Sequence, residues 1–157
     1  MYGEVDRVWR IMSDIKICML ITIAGSKIHA RPMSTILRRE QNDIVMLTEK
    51  ASRKESEVAH DSTVVLNFCD GSHDFVSLQG NARMSDDRAL LKELWNPGAQ
   101  AFWPEGPEKA NVEAVIVNPV EAEYWASSSG LLSSVKMAFA IATGQTPDLG
   151  EHKKVGL

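Results

Sequence analysis

Apolar positions along this chain keep two rhythms. Val5, Val8, Trp9 and Met12 recur at helical spacing, so residues 4–14 read as a short helix with one apolar face. Residues 16–24 are apolar and β-branched, which predicts a strand buried on both faces. Ala24-Gly25-Ser26-Lys27 is a turn signal, and residues 28–37 return as a strand, making 16–37 a β-hairpin. Asp43–Thr48 predicts another strand. Ser52–His60 predicts a helix, with Ser52 as its cap and Glu55 three residues on, as in a capping box. Thr63–Cys69 and Asp74–Met84 read as two strands joined at Asp70-Gly71-Ser72.

Ser85 or Asp86 opens a helix to about Trp95, where Asn96-Pro97-Gly98 stops it. Ala99–Ala110, with the prolines and glycine of Phe102-Trp103-Pro104-Glu105-Gly106-Pro107 inside it, predicts a loop with at most a short helical turn. Val112–Trp125 is a long strand with a bend or bulge near Asn118-Pro119. A terminal helix spans about 130–143 and closes at Gly144, and the polar tail 145–157 is expected to be loose. Strands joined by tight turns are antiparallel. The order therefore fits a mostly β protein, a small antiparallel barrel with peripheral helices, better than a doubly wound sheet.

Composition narrows the picture. The 157 residues suit a single domain with a sizeable core. A net charge of -4 argues against a nucleic-acid partner. No apolar run reaches the ~20 residues of a membrane span and no signal peptide is visible, so a cytoplasmic protein without a membrane partner is the expectation. Cys18 and Cys69 lie in apolar strand-like runs and read as free thiols. The histidines at 29, 60, 73 and 152 are scattered without metal-ligand spacing, so no metal site is expected. Gly-x-Gly-x-x-Gly, Gly-x-Ser-x-Gly and Walker motifs are absent.

Candidate chemistry gathers in two stretches. The first is His29-Ala30-Arg31-Pro32-Met33-Ser34, an arginine on a strand beside a proline that marks an edge, bulge or rim. The second is Leu47-Thr48 followed by Ser52-Arg53-Lys54, where a strand gives way to a helix. Cations, hydroxyls and a helix N-terminus together suit a phosphate. Taken singly, Arg31 reads as readily as a surface ion pair, Ser52-Arg53-Lys54 as a capped, solvated helix start, and Trp125 as a core residue or a ring-stacking one.

These pieces in order resemble the pyridoxamine 5'-phosphate oxidase-like flavoproteins, and within them the general stress protein 26 branch. The resemblance runs through Met19-Leu20-Ile21-Thr22, the two stretches above, Phe75–Ala82, Glu93–Pro97, Phe102–Gly106, Ala122-Glu123-Tyr124-Trp125 and Thr143–Gly150. It implies a six-stranded antiparallel split β-barrel that forms a homodimer, with FMN (or alternatively FAD) in clefts at the dimer interface. By position, Arg31, Pro32, Met33 and Ser34, on to Ile36, would line the ribityl and phosphate part. Leu47 and Thr48 would meet the ring or ribityl side, and Ser52, Arg53 and Lys54 would hold the phosphate. Trp125 would approach the flavin from the partner subunit.

Two departures limit what the resemblance carries. Phe75 stands where the oxidases place a flavin-contacting glutamine. Ala126-Ser127-Ser128-Ser129-Gly130-Leu131-Leu132 replaces their substrate-binding Arg-Leu-His segment. The expected function is therefore a flavin-dependent oxidoreductase of unknown small substrate that is not a true pyridoxamine 5'-phosphate oxidase. The alternatives are a non-catalytic flavin-binding stress protein, serving as sensor or flavin store, and a barrel that holds haem or a deazaflavin.

Overall fold

A computed structural model describes residues 3–50, 53–71, 74–127, 130–148 and 150–157; for 53–55, 60 and 130–133 it describes the backbone only. Helix α1 (Glu4–Ile15) buries Val8, Trp9, Ile11 and Met12, the face that the helical spacing predicts. It ends where Lys16 turns left-handed (φ 67°) and its N–H donates to the Met12 carbonyl. Strands β1 (Ile17–Ala24) and β2 (Lys27–Ser34) form the expected hairpin about Gly25. β1 is not buried on both faces: Cys18, Leu20 and Thr22 point inward, whereas Ile17, Met19 and Ile23 are exposed. β3 (Ile36–Arg38), β4 (Asp43–Glu49), α2 (Arg53–His60), β5 (Thr63–Cys69) and β6 (Phe75–Ser85) follow.

Asp87, rather than Ser85 or Asp86, caps α3 (Arg88–Leu94), its side chain accepting from the Ala89 N–H at 3.0 Å. Asn96 and Pro97 do not merely stop that helix. They start a second one, α4 (Pro97–Phe102), with Asn96 as cap and Pro97 in the first turn. β7 (Val112–Ser127) and α5 (Gly130–Thr143) come next, and the chain returns in β8 (Gly150–Gly156).

The sheet order is β2-β1-β5-β6-β7-β4-β3, with β8 also on β7, and the pairings are antiparallel. The two ends of this path, β2 and β3, are consecutive in the chain and meet at Thr35. The sheet therefore curls back on itself. Among the described residues it has eight strands where six are expected. The short β3 comes from a break at Thr35 in the expected 28–37 strand, whose N–H and hydroxyl both donate to the Lys16 carbonyl.

The second extra strand, β8, lies in the segment expected to be a loose tail. Its polar residues alternate on an exposed ribbon against β7. Only Val155 is buried, so hydrophobic patterning carries no signal for it. Gly150 opens it at φ 142°, where a Cβ would fall 2.1 Å from the Ala126 carbonyl oxygen.

Two apolar clusters flank the sheet. The larger fills the barrel with Leu20, Met46, Leu66, Phe68, Leu78 and Tyr124, closed by α1 and by Val58 of α2. The smaller packs Val45, Val112, Ala114 and Ile116 against Leu91 of α3, with Trp95 and Trp103 at its margin. β4 and the first half of β7 are thus covered on both sides. The predicted irregularity in β7 is present: the register against β6 passes from Gln79↔Glu121 to Gly80↔Pro119, which leaves Val120 as an extra residue.

Gly80 lies against that bulge, and an added Cβ would sit 2.6 Å from the Asn118 carbonyl oxygen. Gly80→Ala should therefore destabilise the fold by about 1–3 kcal/mol in a denaturant titration, as overpacking does. Burial pushes the Cys18 thiol up to about 12, outweighing a backbone hydrogen bond that favours the thiolate, whereas Cys69 is exposed. One thiol should react with a disulfide reagent in the native protein and two after denaturation.

Candidate functional site

Alternation along β2 decides where Arg31 goes. Its register partner is Leu20, so it shares the inward face with Met33, which packs against the barrel core, and with His29. Pro32 and Ser34 project to the exposed face. Arg31 is mostly covered, at 18% side-chain exposure, and its Nη2 donates to Glu57 Oε2 of α2 at 2.5 Å. Its Nη1 donates to Thr22 Oγ1 at 2.6 Å, and the Thr22 hydroxyl in turn donates to the same Glu57 oxygen. His29 Nδ1 lies 3.6 Å from the other oxygen, Oε1.

Glu57 is thus a carboxylate at 3% exposure answered by a guanidinium, a hydroxyl and an imidazole. Burial alone would raise its pKa. The hydrogen bonds from Thr22 and Arg31, and the positive charge of Arg31, outweigh burial and hold it below the usual glutamate value. The direct phosphate contact expected of Arg31 is set against this internal ion pair.

The second stretch spans the end of β4 and the start of α2. Leu47 packs against the smaller core cluster, and Thr48 is buried, paired in register with the buried Glu113 of β7. The chain then leaves β4 and re-enters as α2, whose first two residues are Arg53 and Lys54. Ser52 lies outside the described residues, and of Arg53 and Lys54 only the backbone is described. The fold brings Arg31 and α2 together through Glu57, one turn beyond Arg53.

Trp125 stands apart from this group, on the outer face at the β6–β7–β8 end. It pairs in register with Phe75 and is 38% exposed. Its ring stacks on His152 of β8, with centroids 4.7 Å apart and planes 5° from parallel. His152 Nε2 lies 2.6 Å from Glu123 Oε1.

Sequence reasoning missed Glu57, Thr22 and His152. The first two had a signal. Thr22 shares the parity of Cys18 and Leu20, and Arg31 that of Met33, so a hydroxyl and a cation both point into the core and demand an acid. His152 had none, because it lies in the strand that patterning could not show. Among the described residues no group of three His, Cys, Asp or Glu is placed to hold a metal. No described helix is long and apolar enough to cross a membrane.

Comparison with known proteins agrees with this architecture. A family model described as pyridoxamine 5'-phosphate oxidase like matches residues 3–148. Protein bli-3 of Neurospora crassa is 24% identical over 123 residues, covering 72% of this chain and 59% of that protein. The chain thus spans less than two thirds of that relative's length. A protein assigned as general stress protein 26 from Jannaschia sp. CCS1 matches with TM-score 0.79 at 24% identity, over 98% of each chain. The general stress FMN/FAD binding protein from the phytopathogen Xanthomonas citri matches with TM-score 0.70 at 24% identity, over 80% of this chain and 89% of that one.

At such identities the structural likeness establishes the fold, a split β-barrel shared with FMN-binding proteins. With the family model spanning nearly the whole sequence, the chain belongs to the pyridoxamine 5'-phosphate oxidase-like family.

Proposed function

We propose that this protein binds a flavin, FMN with FAD as the alternative, and uses it as an oxidoreductase on a small substrate other than pyridoxamine 5'-phosphate. The observation that carries the reading is the family match over residues 3–148, joined to the junction where β4 runs into a helix that begins Arg53-Lys54. The residues present suit the group. Helix N–H groups and two adjacent cations form a phosphate-type donor set. Pro32, Ser34 and Thr48 lie on the strands leading to it. The exposed rings of Trp125 and Phe75 offer flat surfaces of the kind a planar heterocycle stacks on. Bound flavin would supply the redox centre, while the chain supplies binding, orientation and exclusion of water.

In this reading the site is shared by two copies. Trp125 lies on the opposite face of the sheet from Arg31, so a partner subunit brings a Trp125 to the phosphate-binding end. The exposed face also shows Ile17, Met19, Ile23, Ile28 and Phe75. α5 supports the same arrangement: Val135, Met137, Phe139 and Ile141 are exposed, and of its described side chains only Ala140 is buried. A helix this apolar and uncovered by its own barrel suits a second copy.

A non-catalytic flavin carrier is the second reading. It is favoured by the segment 126–132, which holds no basic residue where the oxidases bind their substrate phosphate.

Three outcomes are expected. Lys54→Ala should weaken FMN binding at least ~tenfold, the loss of one charge-assisted contact, and leave riboflavin binding unchanged in fluorescence titrations. Sedimentation should give a dimer at micromolar concentration, and a monomer would remove the shared site. Steady-state assays should show no efficient oxidation of pyridoxamine 5'-phosphate, whereas reduction of bound flavin by NADH or NADPH would favour the enzyme over the carrier.

A further inference from the structure

The ion pair inside the barrel gives Arg31 a different role from that of a phosphate ligand. Both terminal nitrogens of its guanidinium are committed inward, to Thr22 Oγ1 at 2.6 Å and Glu57 Oε2 at 2.5 Å. Its charge is answered at close range by a buried carboxylate, which leaves little net field for an external anion. Glu57 has a structural duty of its own. Among the described side chains of α2 it and Val58 are the buried ones, while Ser56 and Ala59 face solvent. The helix packs on β1 and β6 through these two anchors, one apolar and one charged. Glu57 also stands four residues beyond Arg53, so whatever fixes Glu57 fixes the first turn of α2 one pitch away.

We propose that Arg31, Thr22 and Glu57 form a positioning lock: Arg31 acts on a bound flavin phosphate through Glu57, by holding the N-terminus of α2 in place, and not by touching the phosphate. This rests on the flavin reading above and adds a division of labour. Arg53 and Lys54 meet the anion, and Arg31 sets their helix. A hydrogen-bonded carboxylate is well suited to the task, because Glu57 accepts from two side chains at once and each fixes it from a different strand. His29, 3.6 Å from Glu57 Oε1, stands on the same strand as Arg31 and adds to the cradle.

The direct-ligand and positioning roles predict opposite signs for one substitution. Glu57→Gln keeps the shape and removes the charge. If Arg31 bound phosphate directly, freeing it from Glu57 would tighten FMN binding. If Arg31 positions α2, the lock loosens and FMN binding weakens. FMN and riboflavin are titrated into wild-type protein, Lys54→Ala, Glu57→Gln and Thr22→Val, and amide hydrogen exchange is followed across residues 53–60.

The lock predicts that Glu57→Gln, which removes the charge that holds Arg31, lowers the preference for FMN over riboflavin by about tenfold, and that Thr22→Val, which removes the hydroxyl bridging the two while leaving their direct ion pair, lowers it by about threefold. Riboflavin affinity stays within a factor of about two, and exchange rises in 53–60 first. A general loss of fold would weaken both flavins alike, and Thr22→Val, which conserves volume, keeps the test usable if Glu57→Gln folds poorly. An unchanged or increased preference for FMN in both variants would overturn the lock while Lys54→Ala still reports a phosphate site. Wild-type protein with no preference for FMN would overturn the flavin reading and the lock with it.

Discussion

A carboxylate inside a protein must be answered by charge and hydrogen bonds, and Glu57 is the point where this chain meets that constraint. Removing one partner of such a buried pair costs about 3–5 kcal/mol, far more than a surface ion pair contributes. Because the partners come from different elements, satisfying Glu57 joins α2 to the β1–β2 hairpin. The rest of that end of the barrel follows. β4 must deliver the chain to a helix whose place is already set, Thr48 is buried on the way, and that helix starts at Arg53. The exposed ion pairs, such as Lys92–Glu108 and Lys154–Glu121, are solvated and make no comparable demand.

The second organising element is β7. It pairs with β6 along nearly its whole length, with β4 through its first half and with β8 through its second. One long strand therefore belongs to the barrel interior and to the smaller core under α3. The bulge at Val120, with Gly80 in close approach across it, lies between the two halves. It falls where β7 exchanges β4 for β8 as its second neighbour. The extra residue switches the inward side chains from Val115 and Val117 to Ala122, Tyr124 and Ala126, and Trp125 ends up on the outer face as a result.

Much of this was readable from residue order because burial leaves a period. α1, β1, β4, β5 and β6 follow apolar patterns that the structure keeps to within a residue or two, the expected 28–37 strand divides at Thr35 into β2 and β3, and the helix at 130–143 ends where Gly144 stops it. The pattern failed where burial was asymmetric or small. β8 buries only Val155 and is held by backbone pairing and by ion pairs of Glu151 with Arg7 and Lys153 with Glu4, so its sequence reads as a polar tail. At the candidate site the residue types were legible but not their partners. Arg31 was visible as a cation on a strand, whereas Glu57, 26 positions away, was one of many acidic residues until the fold turned it inward. The sequence left Trp125 open between core and ring stacking, because the bulge at Val120 switches the inward parity of β7, and the stack on His152 needed a strand that hydrophobic patterning could not show.

The claim on which the functional account depends is that this barrel holds a flavin. The absorbance spectrum of the untagged purified protein, with the cofactor released and identified, tests it most directly. The account predicts a yellow protein with the two visible bands of an oxidised flavin, releasing FMN or FAD on denaturation. A colourless protein that stays so after incubation with either flavin, or one showing the intense band of haem, would contradict it.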